Sequence, residues 1–341
     1  MKQLYILLLL FLVSGLHSQT VSGIVVDEKN VPLYGANVFI DGSTIATSTN
    51  KTGNFSLNLN SKLNIYLVVS FVGFQTQYIS KYESGQQLRI VLKEDLNALD
   101  EVVVKPNQLF TRKQKLNMFR EQFLGTTAAG KKAIILNEKD IQFYYDEKRF
   151  VLTASSDKPL VVANPYLGYK IYYELVDFEV NFARLSIKSF DVLGSYFAGV
   201  SRFEETDNSK KSIKRREEIY KGSPMQFFRT LSKGTAEDTG FVLFEGKFKT
   251  NAKDCFALKD TLGMTRVTVF RASERGLRPK QFVAEYSVLY DKKQQSKITF
   301  NTATFFIDPF GNYTAAEHIL FGGVFSKKRT ADLLPLNYGI E

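Results

Sequence analysis

One cysteine, two histidines and no tryptophan in 341 residues leave little for most enzyme chemistry. A single Cys255 allows no intrachain disulfide, so stability has to come from buried apolar surface, and the residue itself reads as a small buried hydrophobe. A catalytic zinc site needs two or three histidines with a carboxylate at fixed spacing. His17 lies in a segment expected to be removed, which leaves His318 alone. Long apolar runs are also missing. Beyond the first eighteen residues none reaches 18, and the longest, Ile65 to Phe74, is interrupted, so no membrane helix is expected in the mature chain.

What is present is 44% apolar and 23% charged residues, with 45 Lys and Arg against 35 Asp and Glu. That balance suits one or two packed domains and is too apolar for a disordered chain. Met1 to Ser18 reads as a secretory signal peptide, with one Lys, an apolar core from Leu4 to Val13 and then small and polar residues. Cleavage after Ser18 removes one Lys and takes the formal charge from +10 to about +9. With no cysteine near the cut, a lipoprotein anchor is not expected. The sequons at Asn50, Asn54 and Asn312 would matter only in a eukaryotic secretory pathway.

Residues 19 to 94 carry short apolar runs separated by turn residues: VSGIVV, GANVFI, STIATST, GNFSLNL, NIYLVVSFVGF, TQYIS and LRIVL. Seven short strands without a helical period make a small β-sandwich, with turns at Asp41-Gly42 and Lys51 to Asn54. Apolar residues on both phases of Val68 to Gly73 place that strand inside a sheet. Gly23, the Pro32 to Ala36 turn, the Thr49 to Phe55 turn and Gly73-Phe74 stand in an order that resembles the carboxypeptidase-like regulatory domain. This is a prealbumin-like sandwich of Gram-negative, Bacteroidota-type envelope proteins that also precedes many TonB-dependent outer-membrane receptors. The resemblance implies a fold and an envelope setting, with no catalytic residues. Residues 95 to 108, including LKEDLNALDEVVV to Pro106, are similar to the link that leads toward the plug of such receptors. A receptor needs a plug and a barrel of many hundreds of residues, and about 230 remain, so the chain is not expected to be one.

Residues 109 to 341 read as an α+β body with a largely antiparallel sheet and a few helices. Leu116, Phe119 and Phe123 have helical spacing, with Gly125 as a stop. Strands are expected at 141–146, 149–155, 159–163, 168–180 and 183–193, then helices over 203–220 and 223–232, the second with Ser223-Pro224 as its start and Gly234 as its stop. Further strands are expected at 240–249, 265–271, 281–291, 297–307 and 313–325. Phe282, Ala284, Tyr286, Val288 and Tyr290 share one phase and face a core. REEIYKGSPMQFFRTL, GFVLF and ADLLPLNY look similar to two-domain envelope proteins of the same bacteria, a resemblance that implies no activity.

Tested residue by residue, chemistry recedes. The regulatory domain's name brings no zinc chemistry, because the ligands are missing. No G-x-S-x-G elbow presents a serine, and His318 is read as a mid-strand residue. Gly125 to Lys132 nearly spells a phosphate loop, but Lys132 replaces the magnesium-binding Ser/Thr and the segment follows a helix. Glu204-Glu205 and Glu217-Glu218 are read on one helix, where neighbours diverge by about 100 degrees, so they do not face one another across a sugar. The most basic stretch, Lys210, Lys211, Lys214, Arg215, Arg216 and Lys221, nets +3 across 207 to 221. Without interleaved aromatics, and in an exported protein, it is not a nucleic-acid surface. It reads as a solvated helix face and the candidate contact for an anionic partner. Tyr144-Tyr145 and Tyr172-Tyr173 each put one ring on either face of a strand.

The expectation is a non-catalytic exported envelope protein, periplasmic, on the periplasmic face of the outer membrane or at the cell surface, that uses the sandwich to bind a protein partner and the body to bind a partner or ligand. The alternatives are a glycan- or peptide-binding accessory of a TonB-linked uptake system and a carboxylate-dependent envelope hydrolase. No cofactor, metal or nucleic acid is expected.

Overall fold

A computed structural model describes residues 19–59, 66–82, 85–95, 109–270 and 282–340. The signal peptide expected at 1–18 and all but residue 95 of the linker expected at 95–108 lie outside these residues. The described chain forms two compact units, one from residues 19–41 and 45–95 and the other from residues 42–44 and 109–340.

The first unit is a sandwich of seven strands in two sheets. In one sheet β1 (Gln19–Asp27) lies between β4 (Asn54–Leu59) and β7 (Gln87–Leu92), antiparallel to β4 and parallel to β7. The other runs β3 (Ala46–Ser48), β2 (Asn37–Ile40), β5 (Leu67–Ser70), β6 (Gln77–Ile79), all antiparallel. β5 is an interior strand, as its two-sided apolar pattern requires, although it ends at Ser70 and leaves Val72 exposed. Alternation sets the faces: Phe55, Leu57 and Leu59 turn inward from β4 while Asn54, Ser56 and Asn58 face water. The 50–54 turn is closed by Asn50 Oδ1, which accepts from the amides of Thr52 and Asn54 at 3.0 Å each. Gly53 is required there, since its φ is +74° and a Cβ would stand 2.6 Å from the Val25 carbonyl oxygen.

The second unit begins with helix α1 (Arg112–Phe123), whose capping box joins Thr111 and Gln114. Gly125, at φ +90°, ends the helical run. Met118, Phe119 and Phe123 pack onto a six-stranded sheet. In that sheet β12 (Tyr169–Phe182) pairs on one side with β13 (Val192–Glu205) and on the other with both β10 (Val151–Ser155) and β11 (Leu160–Asn164). β9 (Gln142–Asp146) flanks β10, and β8 (Ile134–Ile135) flanks β11. Helices α2 (Lys210–Tyr220) and α3 (Pro224–Ser232) follow. Ser223 caps α3 by accepting from the Gln226 amide at 3.1 Å, Pro224 opens the helix, and Gly234 follows at φ +69°.

The phenylalanines of α3 enter a second core. It is built by the five-stranded sheet β15 (Phe248–Thr250), β14 (Phe241–Glu245), β18 (Ala284–Tyr290), β19 (Gln294–Phe300), β21 (Ile319–Gly323) and by β16 (Phe256–Thr261), β17 (Met264–Val269), β20 (Thr304–Ile307). The short helices α4 (Ala252–Cys255) and α5 (Val324–Lys327) complete the unit. Ala284, Tyr286 and Val288 are buried and Phe282 and Tyr290 pack against them, so this one-phase pattern does face a core. Buried Arg229 ties α3 to the end of the chain: its guanidinium donates to the carbonyls of Phe310, Leu336 and Tyr338, each at 2.8 Å.

Several elements differ from the sequence reading. The strand expected at 183–193 is a turn over 183–191, and the strand proper is β13, which takes in residues 203–205 that were read as helix. The expected strand at 240–249 is the hairpin β14–β15, broken at Gly246 with φ +59°, and the one at 297–307 is split between β19 and β20. His318 closes a 3-10 turn before β21 and is exposed, 3.5 Å from the Glu317 carboxylate, rather than lying mid-strand. Strand β16, directly after Cys255, was not anticipated.

Candidate functional site

Helix α2 carries five of the six basic residues singled out above, and Lys221 caps it. The structure separates them. Arg216 is only 3% exposed. Its guanidinium donates to the carbonyls of Leu167 (2.7 Å), Gly168 (3.2 Å) and Asp207, pairs with the Glu205 carboxylate, and lies 4.0 Å from the centre of the Tyr169 ring. Arg215 donates to the Tyr166 carbonyl at 3.1 Å and stacks on that ring at 4.2 Å. Lys221 pairs with Glu217 at 2.6 Å, one helical turn away. Arg216 is therefore no part of a surface, because its five donors are spent on Leu167 and Gly168 and on Glu205, Asp207 and Asn208. Lys210, Lys211 and Lys214 stay exposed, and their side chains form no hydrogen bond or ion pair among the described residues.

A different surface is built by the turn that joins β12 to β13. Asp191 is buried at its base, accepting from the Ser186 hydroxyl at 2.6 Å and pairing with Arg184 at 2.8 Å. The Ser186 hydroxyl first, and then Arg184, hold the Asp191 carboxyl below the usual range. Tyr145 donates its hydroxyl to the Ser186 carbonyl at 2.8 Å, and the Ser189 hydroxyl donates to Glu121 on α1 at 2.6 Å. On this strapped turn Phe190 is 73% exposed, and Leu193, at the start of β13, equally so. Leu185 is exposed too, and Arg184 and Lys188 stand 5.8 and 5.6 Å from the Phe190 ring centre. A large aromatic is thus held in water by a turn with several side-chain bonds, an exposure that contiguous apolar surface used for docking also shows.

Beside it, through the Ser189 to Glu121 bond, lies a cleft of about 380 Å³ lined by Arg120, Glu121, Gly125, Lys131 and Glu138 among others. Both of its carboxylates are engaged: Glu138 takes Arg120 on both oxygens and Glu121 takes Ser189. Glu204 and Glu205 also have separate partners. Glu204 accepts from the Tyr172 hydroxyl at 2.8 Å, which with Lys170 holds its carboxyl below the usual range, and Glu205 serves Arg216. Arg202 covers the Tyr172 ring at 3.8 Å, which leaves Tyr144 as the open ring of the two tyrosine pairs. In the 125–132 loop, Thr127 donates to Asp332 and Lys132 lies 5.4 Å from the Tyr166 ring centre. Cys255 is buried, and burial pushes its thiol up. Among the described residues no three His, Cys, Asp or Glu side chains form a metal-sized group.

The sequence reading missed Phe190 and Leu193 because it placed them on a strand. Ser186, Ser189 and Asp191, three turn-forming side chains within six residues, were the available signal.

Residues 21–104 match the model of the CarboxypepD_reg-like domain family. TonB-dependent receptor SusC of Bacteroides thetaiotaomicron is 44% identical over 85 residues, which are 25% of this chain and 8% of the receptor. TonB-dependent receptor P39 of Formosa agariphila is 36% identical over 104 residues, 29% of this chain and 10% of that receptor. The chain thus spans about a tenth of the length of these curated relatives. A DUF3823 family protein from Bacteroides ovatus aligns over 86% of this chain and 99% of its own at 9% identity and a TM-score of 0.19, too low for a fold comparison. The front part of the chain is a CarboxypepD_reg-like domain by its match over residues 21–104, and the 183–193 surface belongs to the body beyond it.

Proposed function

We propose that this is a non-catalytic exported protein of the Bacteroidota-type envelope that docks protein partners, with the CarboxypepD_reg-like domain as one interaction module and the 183–193 surface of the body as another. The relatives place such a domain in TonB-dependent receptors, which supports a role beside an outer-membrane uptake system. The observation that carries the reading is the exposure of Phe190 and Leu193 on a turn secured by Asp191, Ser186 and Tyr145. Burying each of these side chains at an interface is worth about 1.5–3 kcal/mol. A surface lysine contact contributes about 0–1 kcal/mol and weakens with salt. The loop therefore dominates over the α2 lysines as a source of affinity.

Two observations weigh against the alternatives. The ring of Tyr172 is covered by Arg202, which removes a stacking platform for a glycan. Both carboxylates of the cleft are tied to partners, which leaves neither placed as an acid or a base for hydrolysis.

The test is crosslinked affinity purification of the tagged full-length protein from its native envelope, read by mass spectrometry. Phe190→Asp is expected to lose specific envelope partners that the Lys210→Ala, Lys211→Ala, Lys214→Ala variant retains. Retention of the same partners by the loop variant would overturn the assignment.

A further inference from the structure

The outer edge of strand β13 is taken at 201–203, where the Gly42 amide donates to the Ser201 carbonyl at 2.6 Å and the Phe203 amide to the Ser43 carbonyl at 2.9 Å, and is open before that. From Gly194 to Val200 its backbone bonds to β12 alone among the described residues, so alternate amide and carbonyl groups point away from the sheet. Exposed edges are normally blunted by charges, prolines or bulges in the edge strand itself. The stretch 192–200, VLGSYFAGV, contains no charged residue and no proline; of the two bulges in this pairing one lies on β12, at Val176, and the other on β13, at Leu193, so the regular open edge is 194–200. Leu193 and Tyr196 are exposed, and open space surrounds Gly194.

A cation without a counter-charge stands at the same edge. Ser195 and Phe197 pair with buried Val180 and Phe178, so both face the core side of the sheet. On that side the Arg329 guanidinium donates to Ser195 Oγ at 2.9 Å and lies 5.9 Å from the Phe197 ring centre. No carboxylate pairs with it among the described residues, and burial alone lowers its pKa. A desolvated guanidinium with a hydroxyl as its hydrogen-bond partner lacks the charge that ordinarily stabilises it. Side chains of a strand added to β13 would stand about 5 Å from Ser195 and Phe197 on this same face, beside Arg329.

We propose that β13 accepts an extended segment of a partner protein by strand addition, and that an acidic side chain of that segment pairs with Arg329. The main chain supplies binding through the open edge, Leu193 and Tyr196 supply apolar contact, and Arg329 sets the charge preference. A second copy of β13 does not fit. Residues 192–200 carry no acid to offer, and two-fold pairing would bring one Arg329 toward another. The proposal rests on the docking role given above but names a separate contact, main chain to main chain rather than the Phe190 anchor.

The probes are a capped eight-residue peptide of alternating threonine and valine with one valine replaced by glutamate, and its counterpart with lysine in that place. Amide hydrogen exchange is followed on the full-length protein. The glutamate peptide, at about 1 mM, should slow the amides of 194–200, and the lysine peptide should bind at least about tenfold more weakly. Arg329→Gln should erase that difference, and Leu193→Lys with Tyr196→Lys should abolish the protection. The comparison of peptides on the unaltered protein stands even if Arg329→Gln fails to fold. Absence of protection, equal protection by both peptides, or protection that rises with protein concentration without peptide would each overturn the inference. If the edge stays silent while Phe190-dependent partner capture persists, strand addition fails and the docking reading survives. The converse result separates them the other way.

Discussion

Helix α2 and the 183–191 turn use charge for opposite ends. In α2 the guanidinium of Arg216 is consumed within the protein, holding the 167–168 turn and Glu205. In the turn, Arg184 and Asp191 build a support that keeps Phe190 out in water. Interior charge is worth most where it satisfies buried carbonyls, and exposed lysines are worth little because water and salt serve them nearly as well. An exposed aromatic on a rigid support gains free energy only when something covers it. The difference teaches that a run of basic residues can serve the fold rather than a surface in this body, and it is the strapped apolar turn that the docking proposal rests on.

The contrast is sharpest in stability. Arg216→Met takes the guanidinium donor from the Leu167 and Asp207 carbonyls and the counter-charge from Glu205, while Gly168 keeps the amides of Thr206 and Asp207, and should cost about 3 kcal/mol, read as a lower denaturation midpoint in urea. Substituting Lys210, Lys211 and Lys214 together by alanine should leave that midpoint where it is. A large loss from the triple variant would break the comparison, because it would make those lysines part of the fold.

The support of the turn should respond to pH. Asp191 has its folded pKa depressed by Ser186 and then Arg184, so its contribution is present above the unfolded value of about 3.9 and is lost as pH falls through the folded value. Asp191→Asn should reproduce the low-pH state at neutral pH. The expected readout is faster tryptic cleavage after exposed Arg184 or Lys188, with the global midpoint lowered less than by Arg216→Met. Unchanged cleavage would show that Tyr145 and Ser189 suffice to hold the turn. The smallest effect belongs to the α2 lysines at the interface: their alanine variant should weaken partner capture only at low salt, within a Debye length of about 10 Å at 0.1 M.

The sandwich was legible because alternation and turn residues act locally: Phe55, Leu57 and Leu59 announce an inward face and Asn50 to Asn54 announce the turn. Part of the helix punctuation was equally plain, since Ser223, Pro224 and the glycines at 125 and 234 encode their own ends, whereas the caps Thr111 and Ser209 went unread and α2 was begun seven residues early. The errors arose where tertiary partners decide. Glu205, Asp207 and Asn208 lie close to Arg216 in the chain, but nothing there announces that two further acceptors lie at 167–168, nearly fifty residues earlier. Likewise Ser186 depends on Tyr145, and the unpaired state of Arg329 shows only once Ser195 and Phe197 stand beside it. Runs at 240–249 and 297–307 look like single strands because their breaks, at Gly246 and at 301–303, interrupt the alternation too briefly to be seen.

The central claim is that the body docks through the 183–193 surface. The most direct test is site-specific photo-crosslinking in the native envelope, with the photoreactive side chain at Phe190 in one full-length protein and at Lys211 in another. Discrete protein adducts from position 190, with none of comparable yield from 211, are the predicted result. Adducts from 211 with position 190 silent would contradict it and return the interface to the basic helix.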